Sequence, residues 1–139
     1  MNDFITHIEN TCIEFVNAFQ DQLTWKWDGR FDAVLTAFKR ENKDDIFLFL
    51  KQHLNTVWDD SNTEDASDSV LDAISHFGGL MPRQLLFASD PNQDIFICCA
   101  WWPWNNGNTI SLRVAPFSNK LSDEDKTELN KKMKAWFKI

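Results

Sequence analysis

Glycine is scarce in this chain, and its positions exclude two common kinds of phosphate-binding site. Loops that cradle phosphates or dinucleotides need several closely spaced glycines, and no segment here provides them. The G-x-S-x-G turn of many hydrolases is missing from the sequence as well. The four glycines are Gly29, Gly78, Gly79 and Gly107.

Cysteine is also rare, and its positions suit neither disulfides nor a metal site. The chain has three cysteines, two of them adjacent, which is a poor disulfide framework and favours a reducing cytoplasm. Cys98 and Cys99 fall in a predicted strand, where neighbouring side chains point to opposite faces, so their thiolates cannot readily share one ion. We expect both residues and Cys12 to be core residues, and we assign no metal or cofactor.

Positive charge is the third shortage. The chain carries 14 Lys and Arg against 21 Asp and Glu, a formal net charge of −7. A protein that binds nucleic acid through its phosphates needs a basic patch, and none is found. No apolar run approaches the roughly 18 residues of a membrane span, and residues 1–12 lack the features of a secretory signal. We therefore expect a cytoplasmic protein that binds neither nucleic acid nor membranes.

Apolar residues, by contrast, are plentiful. They make up 43% of the chain, with 12 Phe and 7 Trp, so residues 1–139 are expected to form a single α+β domain with a substantial core. Apolar side chains recur at helical spacing in several segments, which predicts about five helices. The predicted helices cover about 3–22, 31–38, 42–58 and 64–77, and a final helix follows a Ser122 cap.

Three other segments predict an antiparallel sheet near residues 84–117. The segments 84–89, 94–102 and 108–117 are rich in strand-forming residues and are separated by turn signals, which predicts a β-meander. Leu23, Trp25 and Trp27 alternate with polar residues, which predicts a further short strand. Three to four strands are therefore expected. Pro103 lacks a backbone N–H, and we expect an irregular or longer hairpin end there.

The predicted strands divide the sheet into two unlike faces. Side chains alternate along a strand, so one face collects apolar residues only, whereas the other is apolar in the middle and polar along one side. The first face receives Ile95, Ile97, Cys99, Trp101, Ile110, Leu112 and Val114. The second receives Phe96, Cys98, Ala100, Trp102, Thr109, Ser111 and Arg113.

No catalytic or metal-binding constellation is identified. His7, His53 and His76 are scattered, and each is interpreted as a surface or boundary residue; an Asp72–His76 pair has the spacing of helical neighbours but no partnered nucleophile. A calcium loop that starts at Asp60 fails at the required glycine and at the required bidentate glutamate. We assign no catalytic residue.

Acidic charge is concentrated in one part of the chain. No Lys or Arg lies between Lys51 and Arg83, and this interval carries six carboxylates, while the whole chain carries −7. The interval is interpreted either as a solvated helix face or as a surface that attracts a basic protein. The six residues are Asp59, Asp60, Glu64, Asp65, Asp68 and Asp72.

The run Trp101-Trp102-Pro103-Trp104 is the second unusual feature. If Trp101 faces the core, Trp102 lies near Arg113 on the second face, and Trp104 is at least partly exposed at the hairpin end. Trp and Arg are frequent interface anchors and attract each other through cation–π contact. The tryptophan run is interpreted either as core residues under a covering helix or as a patch centred on Trp102, Trp104 and Arg113.

These two features favour a non-catalytic protein-interaction domain of the inhibitor, immunity, adaptor or chaperone kind. Its partner-binding residues would be the six carboxylates with Trp102, Trp104 and Arg113, and its partner would be a protein with a basic surface. Two alternatives stay open: a small-molecule binder or enzyme with a Trp- and Arg-lined pocket, and a patch that serves only to form a homodimer.

Overall fold

The computed structural model describes the backbone of residues 2–139 and the side chains of residues 5–139. Within that part, the chain forms a six-stranded antiparallel sheet and four α-helices, which confirms the α+β class and the terminal helix. The helices are α1 (Asn2–Ala18), α2 (Lys43–His53), α3 (Asp68–His76) and α4 (Asp123–Trp136). The strands are β1 (Lys26–Asp28), β2 (Ala33–Lys39), β3 (Thr56–Trp58), β4 (Leu85–Ala88), β5 (Phe96–Trp104) and β6 (Thr109–Phe117).

The strands lie in the order β1-β2-β6-β5-β4-β3, and every neighbouring pair is antiparallel. The predicted meander is therefore present as β4, β5 and β6. The predicted counts of three to four strands and about five helices are wrong, since the sheet gains strands where helices were expected.

None of the helices in the described chain has the length and apolar character needed to cross a membrane.

Residues 31–38, predicted as a helix, contain strand β2. Phe31, Val34 and Phe38 fit helical spacing, but Val34, Thr36 and Phe38 also fit a two-residue period, and all three are buried. β2 pairs with β6 from Val34 to Lys39, and the Thr36 hydroxyl donates to the Thr24 carbonyl at 2.8 Å. Cross-strand packing of the β-branched residues at 34 and 36 thus outweighs the helical pattern.

The predicted helix over 42–58 ends early. α2 stops at His53, and the β-branched residues Thr56 and Val57 enter β3, where they pair with Ala88 and Phe87 of β4. An apolar residue at every third or fourth position continues through this region, so spacing alone could not locate the change from helix to strand.

Two further helix boundaries differ from the sequence pattern. α1 ends at Ala18 rather than near residue 22, and the side chain of Phe4, expected on its apolar stripe, lies outside the described residues. The helix expected over 64–77 begins only at Asp68, where the Ser67 hydroxyl accepts a hydrogen bond from the Val70 amide. Asp65 belongs to a separate single turn and not to α3.

Pro103 does not make the hairpin irregular. β5 continues through it to Trp104, with Pro103 opposite Ile110 of β6. The last residue of β5 that pairs with β4 is Trp101, so Pro103 lies on a stretch with one open edge. A proline is tolerated on such an edge stretch because its missing N–H can face away from the neighbouring strand. The loop that follows, residues 105–108, has four residues and is longer than a two-residue turn.

The sheet is covered on both faces, and its central strand β5 is buried from Phe96 to Trp101. Helices α1, α2 and α4 pack on the first face, in a cluster that includes Phe87, Cys99, Trp101 and Leu112. Among the described residues, α3 is the one helix that packs on the second face. Most of the buried sheet residues in its cluster are small: Ala33, Ala88, Cys98, Ala100 and Ala115.

Helix α3 is too short to cover the second face completely. Its nine residues span about 14 Å, whereas the nine residues of β5 or β6 span about 30 Å. The part of the second face that carries Trp104 and Ala37 is exposed, and Ser111 beside them is half-buried. This asymmetry determines which side chains are open to a partner.

The buried thiols give a direct test of the two-sided core. Cys98 lies in the second-face cluster and Cys99 in the first-face cluster, and burial raises the pKa of both thiols and of Cys12. We expect a disulfide reagent to label none of the three in the native protein, even at pH 9, where an exposed thiol with a pKa of about 8.5 is mostly thiolate. Unfolding in urea should expose all three thiols to the reagent. Rapid labelling of the native protein would show that a helix does not cover the face of the sheet assigned to it.

Candidate functional site

The end of the β5–β6 hairpin, residues 101–110, separates two different surfaces. Beyond Trp101, β5 pairs only with β6, so this end extends past β4. Its turn places Asn105, Asn106 and Gly107 at φ values of 55°, 57° and 81°, a left-handed conformation that asparagine and glycine accept at low cost. The second-face side bears Trp102 and Trp104, and the first-face side bears a groove.

On the second-face side, Trp102 is packed between other groups. Its ring lies edge-on to Phe31 at 5.4 Å and to Phe77 at 6.3 Å between centroids. The Arg113 guanidinium carbon lies 4.3 Å from the Trp102 ring centroid and 5.3 Å from that of Phe31, which is cation–π geometry. Trp102 therefore closes one margin of the core beneath α3.

Arg113 is held by a half-buried ion pair. Its Nε donates to Asp28 Oδ2 at 2.8 Å, and the two side chains are only 16% and 14% exposed. Its Nη1 and the Trp102 Nε1 are buried without an acceptor among the described residues. The charge of Arg113 is already balanced by Asp28, so this residue supports the position of Trp102 more directly than it offers charge to a ligand.

Trp104 is the exposed member of the tryptophan run. Its side chain is 53% exposed, and its Nε1 donates to the Ser111 hydroxyl at 2.8 Å, which holds the indole against the sheet. Ala37 of β2 lies opposite Ser111 and is exposed as well. An aromatic ring that is both open and held in place has little conformational entropy left to lose when a partner covers it.

The six carboxylates lie along one continuous segment from the end of β3 to α3. Five of them are exposed, while Asp59 is half-buried and accepts hydrogen bonds from the Ser61 hydroxyl and amide, which lower its pKa. Asp72 accepts from Asn119 at 2.7 Å. Among residues 5–139, none of the six forms an ion pair within 4 Å.

The acidic residues of α3 and the exposed tryptophan point away from the same side of the sheet. α3 packs on the second face through Val70 and Ile74, so its exposed Asp68 and Asp72 project outward from that face. Trp104 shares the second face with Trp102 by strand alternation. The structure thus places these two predicted groups on one face of the sheet but toward opposite ends, because Asp72 bonds Asn119, beyond the end of β6 that is remote from the hairpin.

The first-face side of the hairpin end contains a groove of about 460 Å³ that sequence reasoning missed. Its residues come from the turn before α2, the first turns of α2, the turn before β4 and the hairpin, which are far apart in the chain. Three cations and one carboxylate line it over an apolar floor. The lining residues are Arg40, Lys43, Asp44, Phe47, Arg83, Trp101, Pro103, Gly107 and Ile110.

Arg83 reaches this groove from an unfavourable backbone conformation. The Gln84 amide donates to the Met81 carbonyl at 3.0 Å, which closes a turn with Pro82 and Arg83 at its centre. Arg83 has a φ of 73° at the turn position that glycine usually occupies. A left-handed conformation costs a residue with a side chain about 1–2 kcal/mol.

A smaller cleft of about 220 Å³ brings His76 and Asp32 together beside Ser118. The His76 Nε2 bonds the Phe31 carbonyl at 2.7 Å, and the Ser118 hydroxyl accepts from the Lys120 amide. The expected Asp72–His76 pair does not form, because Asp72 bonds Asn119 instead. No contact in the described residues links His76 to a hydroxyl or thiol nucleophile, so this cleft lacks the geometry of covalent catalysis.

The other histidines and the acidic groups form no metal site in the described part of the chain. Both ring nitrogens of His53 are bonded, one to the Phe49 carbonyl and one to Glu14, and His7 is exposed. No group of three or more His, Cys, Asp or Glu side chains among those residues is arranged to hold a metal ion.

No protein-family model, curated protein or solved structure matches the chain. The candidate site is accordingly defined by the geometry of the chain's own residues: an exposed tryptophan and the acidic residues of α3 on one side of the sheet, and a cationic groove on the other.

The backbone conformation at residue 83 yields a stability test. Arg83→Gly should be more stable than Arg83→Ala by about 1 kcal/mol, because both remove the guanidinium but only glycine relieves the left-handed conformation. Urea unfolding of the two variants measures the difference. An alanine variant as stable as the glycine variant would contradict the turn geometry.

The Arg113–Asp28 pair yields a second stability test. Arg113→Met should lower the free energy of unfolding by about 2–3 kcal/mol, because it leaves a half-buried carboxylate without its charged hydrogen-bond partner. Adding Asp28→Asn should recover part of that loss. A double-mutant cycle measures the coupling, and strictly additive effects would show that the pair contributes nothing.

Proposed function

We propose that the chain is a non-catalytic protein-binding domain that contacts its partner with the second-face side of the sheet. The observation that carries this proposal is the position of an exposed, hydrogen-bonded Trp104 on the same side as the uncompensated acidic residues of α3. A partner that covers this face would contact the apolar anchor at the hairpin end and the negative field toward the opposite end of the same face.

Charge favours a basic partner. No Lys or Arg lies at residues 52–82, and the acidic residues there have no ion-pair partner within 4 Å among the described side chains. Their field extends about one Debye length, roughly 8 Å at physiological salt, and accelerates the approach of a positively charged surface. Asp60, Glu64 and Asp65 extend this surface beyond α3, whereas Asp59 is partly used within its own loop.

The tryptophan supplies the apolar anchor. Trp and Arg residues carry a large share of binding energy in many interfaces, particularly where the rest of the contact excludes water. In this proposal Trp104 makes the contact itself. Trp102 and Arg113 act beneath it, since both are largely packed against Phe31, and Arg113 is paired with Asp28.

Homodimerisation through the same side is less favoured by charge. A two-fold dimer buries the same patch of both copies, so the acidic residues of two α3 helices would be brought into one interface without cations to balance them. The edge strands β1 and β3 have only three residues each, which offers little for edge-to-edge pairing. Light scattering over a range of concentrations distinguishes a stable monomer from a dimer.

Two matched charge reversals test the proposal. The double variant Asp68→Lys/Asp72→Lys should weaken the complex with a partner purified from the native lysate at least tenfold at low salt. Glu124→Lys/Glu128→Lys is the control, because it also reverses an exposed pair four residues apart that begins in the first turn of a helix. Titration calorimetry at two salt concentrations measures both affinities.

Trp104→Ala completes this experiment. It should reduce the affinity by a similar factor while leaving the melting temperature nearly unchanged, because the indole is more than half exposed. Equal affinities for the α3 variant, the α4 control and the parent chain would contradict the proposed surface. So would a complex that is insensitive to salt, or a native lysate that yields no stoichiometric protein partner.

A further inference from the structure

The groove on the first-face side of the hairpin end gathers positive charge in an acidic protein. Arg40, Lys43 and Arg83 line it together with a single carboxylate, Asp44, which gives a local excess of two positive charges in a chain of −7. Residues 40 and 43 lie three positions apart at the start of α2, whereas residue 83 belongs to the separate turn before β4. Their assembly is thus a property of the fold and not of one basic segment.

These three cations have no counter-charge of their own. Among residues 5–139, none of them lies within 4 Å of a carboxylate oxygen, and this includes Asp44. In the same part of the chain, Arg113, Lys120 and Lys131 each have a carboxylate within 4 Å. Bringing three like charges to one concave site without pairing costs free energy, which a bound anion would offset.

The start of α2 adds the positive end of a helix dipole on the same wall. Lys43 and Asp44 belong to the first turn of this 11-residue helix and line the groove. The residue before the helix, Asn42, makes no side-chain hydrogen bond to that turn. The Lys43 amide already donates to the Arg40 carbonyl of the preceding turn, so α2 contributes mainly the dipole of its N-terminus, which favours negative charge.

Arg83 stands in the groove at a conformational cost. Its φ of 73° is one that glycine would adopt without strain, yet the chain has an arginine at this position of the turn. Residues held in such conformations are concentrated at ligand-binding sites, where the gain in binding offsets the strain. The guanidinium is also the side chain best suited to bind a phosphate with two parallel hydrogen bonds.

The floor of the groove is apolar and has the size of a small-molecule site. Phe47, Trp101, Pro103 and Ile110 line it, and Phe47 lies edge-on to Trp101 at 5.5 Å between centroids. The volume of about 460 Å³ falls within the range of ligand pockets. Only 6% of Trp101 is exposed, so the floor is a fixed surface and not a mobile side chain.

We infer that this groove binds a small organic phosphate, with the phosphate held by Arg40, Lys43 and Arg83 and an apolar group resting on Phe47 and Pro103. A phosphomonoester carries a charge of about −1.5 to −2 at pH 7, which matches the local excess of two positive charges. A long polyanion such as nucleic acid would meet the acidic remainder of the chain and is disfavoured by it.

A titration with phenyl phosphate, followed by amide chemical shifts, tests the inference. Phenyl phosphate should shift the amides of residues 40–47, 83 and 101–107 and leave those of α3 unchanged. Inorganic phosphate should bind the same site at least fivefold more weakly, because it leaves the apolar floor uncovered. Phenol, which lacks the charge, should cause no saturable shift there.

Substitutions test which charged side chains bind the phosphate. Arg83→Gly should weaken phenyl phosphate binding at least tenfold although it relieves the turn, so lost binding cannot be attributed to misfolding. Arg40→Gln should act similarly, and Asp44→Asn should strengthen binding about twofold to fivefold by removing the one repulsive carboxylate. Lys51→Gln, at the other end of α2, is the matched control and should stay within twofold of the parent chain.

Three results would overturn the inference. The absence of a saturable shift with millimolar phenyl phosphate would exclude the site outright. Shifts that map to Arg113 and Trp104 instead would place the anion on the opposite side of the sheet. Equal affinities for the parent chain and Arg83→Gly, or for inorganic and phenyl phosphate, would show that the groove does not recognise an organic phosphate.

Discussion

The packing of β5 between two layers of helix is the constraint on which the rest of the structure depends. The first face accepts three helices over large apolar residues, whereas the second face, where most buried sheet residues are alanines and Cys98, accepts α3. That helix spans about half the length of the strands it covers. The far end of the β5–β6 hairpin is therefore left with one side bearing Trp104 and the other bearing a cationic groove.

Residue alternation predicted the centre of the sheet well, but helical spacing failed where strands pair over long distances. The inward and outward residues of β5 and β6 lie as their sequence indicates, and Ser122 caps α4 as expected. β2 and β3 were missed because residues such as Val34 and Val57 fit both periods. Pairing with β6 and β4, which is remote in the chain, decides between the two conformations.

The candidate site could be predicted from the sequence only where its residues are close neighbours in the chain. The acidic interval and the tryptophan run are local, so composition and alternation identified both, and Trp104 is exposed at the hairpin end as expected. The engagement of Arg113 by Asp28 could not be foreseen, since 85 residues separate them. The same holds for the groove, whose Arg40, Arg83 and Ile110 are brought together only by the completed sheet.

Hydroxyl-radical footprinting of the monomeric protein is the most direct measurement of the central claim, that α3 leaves the second-face side of the hairpin end uncovered. Trp101 and Trp104 lie three residues apart on β5 and are 6% and 53% exposed, so each serves as a reference for the other. The structure predicts that Trp104 is oxidised several times faster than Trp101. Equal protection of the two indoles in the monomer would contradict it.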